Sequence, residues 1–197
     1  MFKHTISLLI LAGFALAPVA EAETKTYTID ASHSEVSFRV KHLVTWVRGQ
    51  FDQFEGTIVM DTVEPSKSSV AFTITAESIN TFNADRDNHL RNPDFFDVAQ
   101  YPTITFTSTS VRKSGDSRYL VTGDFSMHGV TKAITLPVSF DGEAKDPWGG
   151  VRAGFSTETA VDRKDYGIVW NKALDEGGFV LGDDVKISIN IEAIQNK

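Results

Sequence analysis

Apolar and polar residues alternate along most of this chain, and a period of two confines what it can build. Val36, Phe38 and Val40 alternate with Ser37, Arg39 and Lys41. Val70, Phe72 and Ile74 alternate with Ala71, Thr73 and Thr75, and Ile104 and Phe106 sit between Thr103, Thr105 and Thr107. The same beat runs through Ile134, Leu136, Val138 and Phe140, and again through Val185, Ile187, Ile189 and Ile191. Side chains of a strand point alternately to its two faces, so this pattern describes antiparallel strands with one apolar face. Weaker strands fit at 26–29, 57–61, 119–127 and 151–161.

Composition agrees with the period. From Glu23 onward there are 18 Thr, 17 Val and 12 Phe but only 6 Leu, the usage of pleated, half-buried surfaces rather than helices. Turn chemistry falls between the runs at Glu64-Pro65-Ser66, Ser114-Gly115-Asp116, His128-Gly129, Asp141-Gly142 and Gly177-Gly178. Pro137 lies on the polar face of its strand, which predicts an edge or a bulge. Two segments break the beat. Residues 43–54 are aromatic and irregular, and residues 83–99 hold Asp85–Arg91, which reads as a short helix stopped by Asn92-Pro93. About eight or nine strands in succession with few helices predict an antiparallel barrel or a sandwich. The barrel is favoured because closure removes exposed edges, and about eight strands can enclose one small ligand.

The first residues read as an address. A short basic start is followed by an apolar run from Ile6 to Ala17, then Pro18 and the small pair Ala20 and Ala22. Such a run is shorter than the roughly 20 residues of a spanning helix and matches a signal peptide. Cleavage is predicted after Ala22, leaving one domain over residues 23–197, exported and most simply periplasmic. No later stretch has membrane-spanning length.

Charge and cysteine exclude several functions. The formal net charge of -7 argues against nucleic-acid binding through a basic surface. The absence of cysteine excludes disulfides, thiolate metal sites, a cysteine nucleophile and an iron–sulfur cluster. No G-x-S-x-G elbow, Walker loop or H-E-x-x-H motif occurs. Asp85, Asp87 and His89 resemble the start of a calcium loop, but Leu90 and Phe96 stand where that loop needs glycine and an acid. A zinc site on His89 with Asp85 or Asp87 is a weaker reading than a polar helix with local ion pairs. His128 reads as a turn residue. His42 shares the parity of Val36, Phe38 and Val40, so it points inward. It is either a core histidine held by a backbone carbonyl or a polar group meeting a ligand head.

The aromatic residues are the strongest positive feature. Trp46, Phe51, Phe54, Phe82, Phe95 and Phe96 gather in or beside the two irregular segments. Phe38, Phe72, Phe106, Phe125, Phe140 and Phe155 lie on alternating strands. They either fill a core or line an apolar pocket with polar groups at one end.

These segments resemble the YceI family. The resemblance is carried by the run from Asn83-Ala84-Asp85-Arg86-Asp87-Asn88-His89-Leu90-Arg91 through Asn92-Pro93-Asp94-Phe95-Phe96-Asp97 to Tyr101-Pro102-Thr103. Val40-Lys41-His42-Leu43, Gly49-Gln50-Phe51-Asp52-Gln53-Phe54-Glu55-Gly56 and Met127-His128-Gly129-Val130 add to it. Asp146-Pro147-Trp148, Asp162-Arg163-Lys164-Asp165-Tyr166-Gly167 and Leu181-Gly182-Asp183-Asp184 complete a series that spans nearly all of residues 23–197. The resemblance implies an all-β, lipocalin-like antiparallel barrel with one or two short helices. It also implies an exported homodimer holding a long amphiphilic lipid: a polyisoprenoid, an isoprenoid quinone or a fatty amide. It carries over no catalytic residue, and no cofactor or metal is expected besides such a lipid.

The expected ligand-binding set is therefore Phe38, Val40, His42, Trp46, Phe51, Phe54, Phe72, Ile74, Phe95, Phe96, Phe106, Phe125, Phe140 and Phe155. Phenylalanines would grip the tail, and His42 with Arg or Asp side chains near the helix would orient the head. Two other readings stand beside the carrier: an enzyme acting on a lipid through His42, His89 or Asp87, and a stress-response partner whose interior is only core.

Overall fold

The computed structural model describes residues 24–175 and 177–197. The predicted signal peptide lies outside the described residues. Eleven strands form one antiparallel sheet: β1 Thr24–Ile29, β2 Glu35–His42, β3 Thr45–Phe51, β4 Phe54–Asp61, β5 Ser69–Thr75, β6 Ile79–Asn80, β7 Thr103–Gly115, β8 Arg118–Met127, β9 Val130–Lys145, β10 Val151–Asp162 and β11 Leu181–Gln195. One helix, α1, spans Ala84–Arg91. The strand order is β1-β4-β5-β7-β8-β9-β10-β11-β2-β3-β6, and β1 also pairs with β11, which closes the ring.

The ring is easier to read as eight staves, three of them bent. β1 and β2 are one stave broken by a single turn at Ala31–His33, and both lie along the same edge of β11. β3 and β4 form the second stave, broken at Asp52-Gln53, and pair with β2 and β1. β5 and β6 form the third, broken at Ala76–Ser78, and pair with β4 and β3. The bends are stitched together: the Asp52 amide donates to the Ser78 carbonyl (3.1 Å) and the Thr75 amide to the Gln53 carbonyl (2.9 Å). A closed barrel of eight staves leaves few free edges and a narrow interior.

Two gaps interrupt the closure at one end. Beyond Gln50, β3 has no strand partner on the side of β6, and α1 packs there instead. The β9–β10 ladder ends at Val138 with Thr157, so Pro137 is the first residue beyond it. Proline cannot donate to a ladder, and its position matches the predicted edge. A register shift between Gly154 and Phe155 bends β10 against β9.

The helix is short and polar, so it is held by specific bonds rather than by an apolar stripe. The Asn83 side chain caps it by accepting from the Arg86 amide (3.0 Å). Buried Asp87 accepts from the Thr81 amide (2.8 Å) and the Thr81 hydroxyl. Arg91 donates to the carbonyls of Ile79 (2.9 Å) and Glu77 (2.8 Å). These bonds fasten α1 over the end of the barrel. Among the described residues, no helix is long and apolar enough to cross a membrane.

Candidate functional site

The inward faces of the staves do not meet. They enclose a cavity of about 330 Å³ under α1, lined almost wholly by apolar side chains. A second cavity of about 120 Å³ lies farther along the barrel axis. Phe72, Phe106, Leu136 and Ile189 line both, so these four form a waist between an upper and a lower chamber.

Glycines make this space. Phe38 lies directly opposite Gly49, and Phe72 opposite Gly56. A Cβ on Gly49 would stand 2.8 Å from Phe38 Cε1 and 2.9 Å from Thr81 Cγ2. One on Gly123 would stand 2.7 Å from Phe106 Cζ. Each ring therefore lies against bare backbone, an arrangement that recurs where glycine breaks a strand's side-chain ladder.

Ten of the fourteen expected residues line the upper chamber: Phe38, Val40, His42, Phe51, Phe72, Ile74, Phe95, Phe96, Phe106 and Phe125. Phe155 lines the lower chamber instead. Three residues are not in either lining. Trp46 pairs with Lys41 on the outer face, because Val47 takes the inward position of β3. Phe54 stacks on Phe72 with ring centres 5.8 Å apart, and Phe72 takes the lumen side. Phe140 packs against Phe155 at 5.5 Å in the core of the far end.

Other lining residues lie outside the expected set. Ile134, Leu136, Val185, Ile187 and Ile189 were on the alternating faces but carried no aromatic ring to draw attention. Trp170 and Val180 come from the loop between β10 and β11, and Leu181 is the first residue of β11, before the alternation that begins at Val185.

Polar groups concentrate near α1. His42 lines the chamber half-buried, and its imidazole has no hydrogen-bond partner among the described residues. The expected arginine and aspartate contacts are instead committed to structure. Arg86 donates to the Thr81 hydroxyl and carbonyl, both at 2.7 Å, and Asp87 is turned to Thr81. His89 does not meet Asp85 or Asp87. Its Nε2 lies 2.9 Å from Asp94, and its ring stands edge-on to Phe95 (5.0 Å) and Trp170 (5.1 Å). Arg163 is buried and donates to the carbonyls of Gly182 (3.0 Å), Ile168 (2.7 Å) and Trp170 (2.8 Å), fixing the loop that borders the chamber. Tyr166 packs under Phe125 at 5.3 Å, and burial pushes its hydroxyl pKa up, so the phenol is neutral near pH 7. His128 sits in the β8–β9 turn and donates through Nδ1 to the Tyr166 carbonyl at 2.9 Å.

At the opposite end Asp30, His33 and Glu192 converge closely enough to hold a cation. Arg152 already supplies that charge, donating to Asp30 at 2.7 Å and to Glu192. The chamber itself offers one unpartnered imidazole and a long apolar lining. That arrangement suits an amphiphile, with room for an apolar tail and one polar group for a head.

Comparison with known proteins agrees with this architecture. The model for the YceI-like domain matches residues 27–193. Protein YceI of Salmonella arizonae is 40% identical over 194 residues, covering 95% of this chain and 98% of that protein. Burkholderia cenocepacia BcnA superposes with a TM-score of 0.74 at 22% identity, covering 83% of this chain and 98% of that one. A polyisoprenoid binding domain from Saccharophagus degradans superposes with a TM-score of 0.61 at 18% identity, over 85% and 97% of the two chains. The chain belongs to the YceI family.

Proposed function

We propose that this protein is an exported carrier that holds the tail of a long amphiphilic lipid in its barrel. The observation that carries the reading is the upper chamber. Its lining is almost wholly apolar, and apolar wall left facing water forgoes about 25 cal/mol of stabilisation per Å². A chain without disulfides has no covalent reserve to offset it. An occupant relieves the cost: each buried methylene contributes about 0.8 kcal/mol.

The shape narrows the occupant. The waist and the lower chamber continue the upper one along the axis, so a chain fits better than a compact ring system. The half-buried His42 beneath α1 offers one donor or acceptor to a head group. A polyisoprenoid, an isoprenoid quinone or a fatty amide each combines a long apolar tail with a small polar end. The polyisoprenoid binding by the Saccharophagus domain supports the first of these. The same reading puts the protein in the periplasm after cleavage following Ala22, as a binding protein rather than an enzyme, and as a homodimer, as the family resemblance implies.

Titration with a fluorescent isoprenoid analogue tests it. Saturable binding is expected in the wild type. Leu136→Trp, which fills the waist, is expected to weaken it at least tenfold while thermal unfolding stays cooperative. Equal binding by both proteins contradicts the reading.

A further inference from the structure

The outer wall beside the mouth carries a feature that cargo binding does not explain. Arg48, Arg39 and Lys186 stand directly opposite one another on β3, β2 and β11, three cations in one cross-strand row. Like charges placed opposite across strands destabilise a sheet. Among the described residues none of the three has a carboxylate within ion-pair distance, although the chain has a net charge of -7. Asp184 lies two residues along β11 from Lys186 and forms no ion pair with it. Trp46 sits over this row, 40% exposed, with Arg39 at 5.4 Å, Lys186 at 5.0 Å and Lys41 at 5.7 Å from its ring centre.

The hairpin above the row is equally unsuited to water. A two-residue β-turn ordinarily holds asparagine and glycine, because it requires positive φ. Here it is Leu43, at φ 48°, and Val44, which is 92% exposed. Leu43 carries that backbone without glycine's freedom, and its amide is tied to the Val180 carbonyl at 2.9 Å. Phe82, also at positive φ, is exposed across the mouth beside α1, and Val169 and Phe179 are exposed on the loop between β10 and β11. Exposed Val63 and Trp148 lie singly at the opposite end.

We infer that this rim docks on an anionic phospholipid bilayer, with Leu43 and Val44 in the interface and the Arg48–Arg39–Lys186 row on lipid phosphates. The spacing fits. Arg39 lies three residues below the end of β2, roughly 10 Å along the strand. Interfacial apolar groups enter about 5–10 Å, which brings the long basic side chains to the head groups, and tryptophan favours that layer. The chamber's mouth then faces the membrane. The inference goes beyond cargo binding, since the rim and the row are on the surface whether or not the barrel is filled.

The test is sedimentation of the exported protein, residues 23–197, with vesicles of mixed phosphatidylglycerol and phosphatidylcholine and with vesicles of phosphatidylcholine alone. Adsorption is expected only with the anionic vesicles and is expected to fall as salt rises. Each cation neutralised is expected to weaken it roughly fivefold. The combined Arg39→Gln, Arg48→Gln, Lys186→Gln protein should therefore lose adsorption by about two orders of magnitude, with thermal stability unchanged or raised. Val44→Asp should lose it as well. Co-purifying lipid, measured on the same samples, should be unaltered by the three-cation change, so loss of docking and loss of cargo are read separately. Equal binding to both vesicle types, no binding to either, or full binding by the three-cation variant overturns the inference.

Discussion

A glycine opposite a phenylalanine decides how much space the barrel holds. Gly49 lets the Phe38 ring lie against the wall, and a methyl group there collides with both Phe38 and Thr81. Gly49→Ala is expected to turn that ring into the lumen, lower stability by about 1–3 kcal/mol and reduce bound lipid. Denaturant unfolding and lipid content per protein measure the two effects; an unchanged lipid content at reduced stability would separate the ring from the cavity. Residue identity told less of this than residue parity. Phe38, Phe72, Phe106 and Phe125 were placed inward by their alternation and do line the chamber. Trp46 belonged to an irregular segment with no parity to read, and its ring faces outward. Phe140 had the right parity but the wrong height, because parity gives a face and not a position along the axis.

At the scale of elements, the alternation located the strands and the asparagine–proline stop located α1, which does end at Arg91 with Asn92 as its cap. What alternation could not carry is where strands bend and where ladders stop. The three bent staves arise from short turns at 31–33, 52–53 and 76–78 that keep both halves in the same sheet. The waist has the same origin. Phe72, Phe106, Leu136 and Ile189 come from four strands and converge only through register. Phe106→Ala is expected to merge the two chambers. Mass analysis of the lipid bound to that variant should show longer chains than the wild type holds, and an identical chain distribution would show that the waist does not select length.

At the end of the barrel away from α1, hydrogen-bonded carboxylates set the molecule's response to acid. Asp30 is held well below the usual carboxylate range by the Ser32 hydroxyl and by Arg152. Glu143 is lowered by the Tyr27 hydroxyl and Lys25, Asp146 by the Gly150 amide and Asp61 by the Glu64 amide. A carboxylate whose pKa is lowered by folding binds its proton less readily when folded. Its stabilising contribution is complete above the unfolded value, about 4, and is lost as pH falls through the folded values. The melting temperature is therefore expected to be level between about pH 5 and 7 and to decline below about pH 4. A melting temperature that stays level down to about pH 2 would show that these bonds contribute nothing.

The central claim is that the barrel is built around a lipid tail, and the most direct measurement is chemical. The protein purified without added lipid is extracted with organic solvent, and the extract is analysed by mass spectrometry. A single family of long-chain amphiphiles, near one per barrel and absent from a Leu136→Trp control, is the predicted result. A protein that is folded, stable and free of any such compound would contradict it.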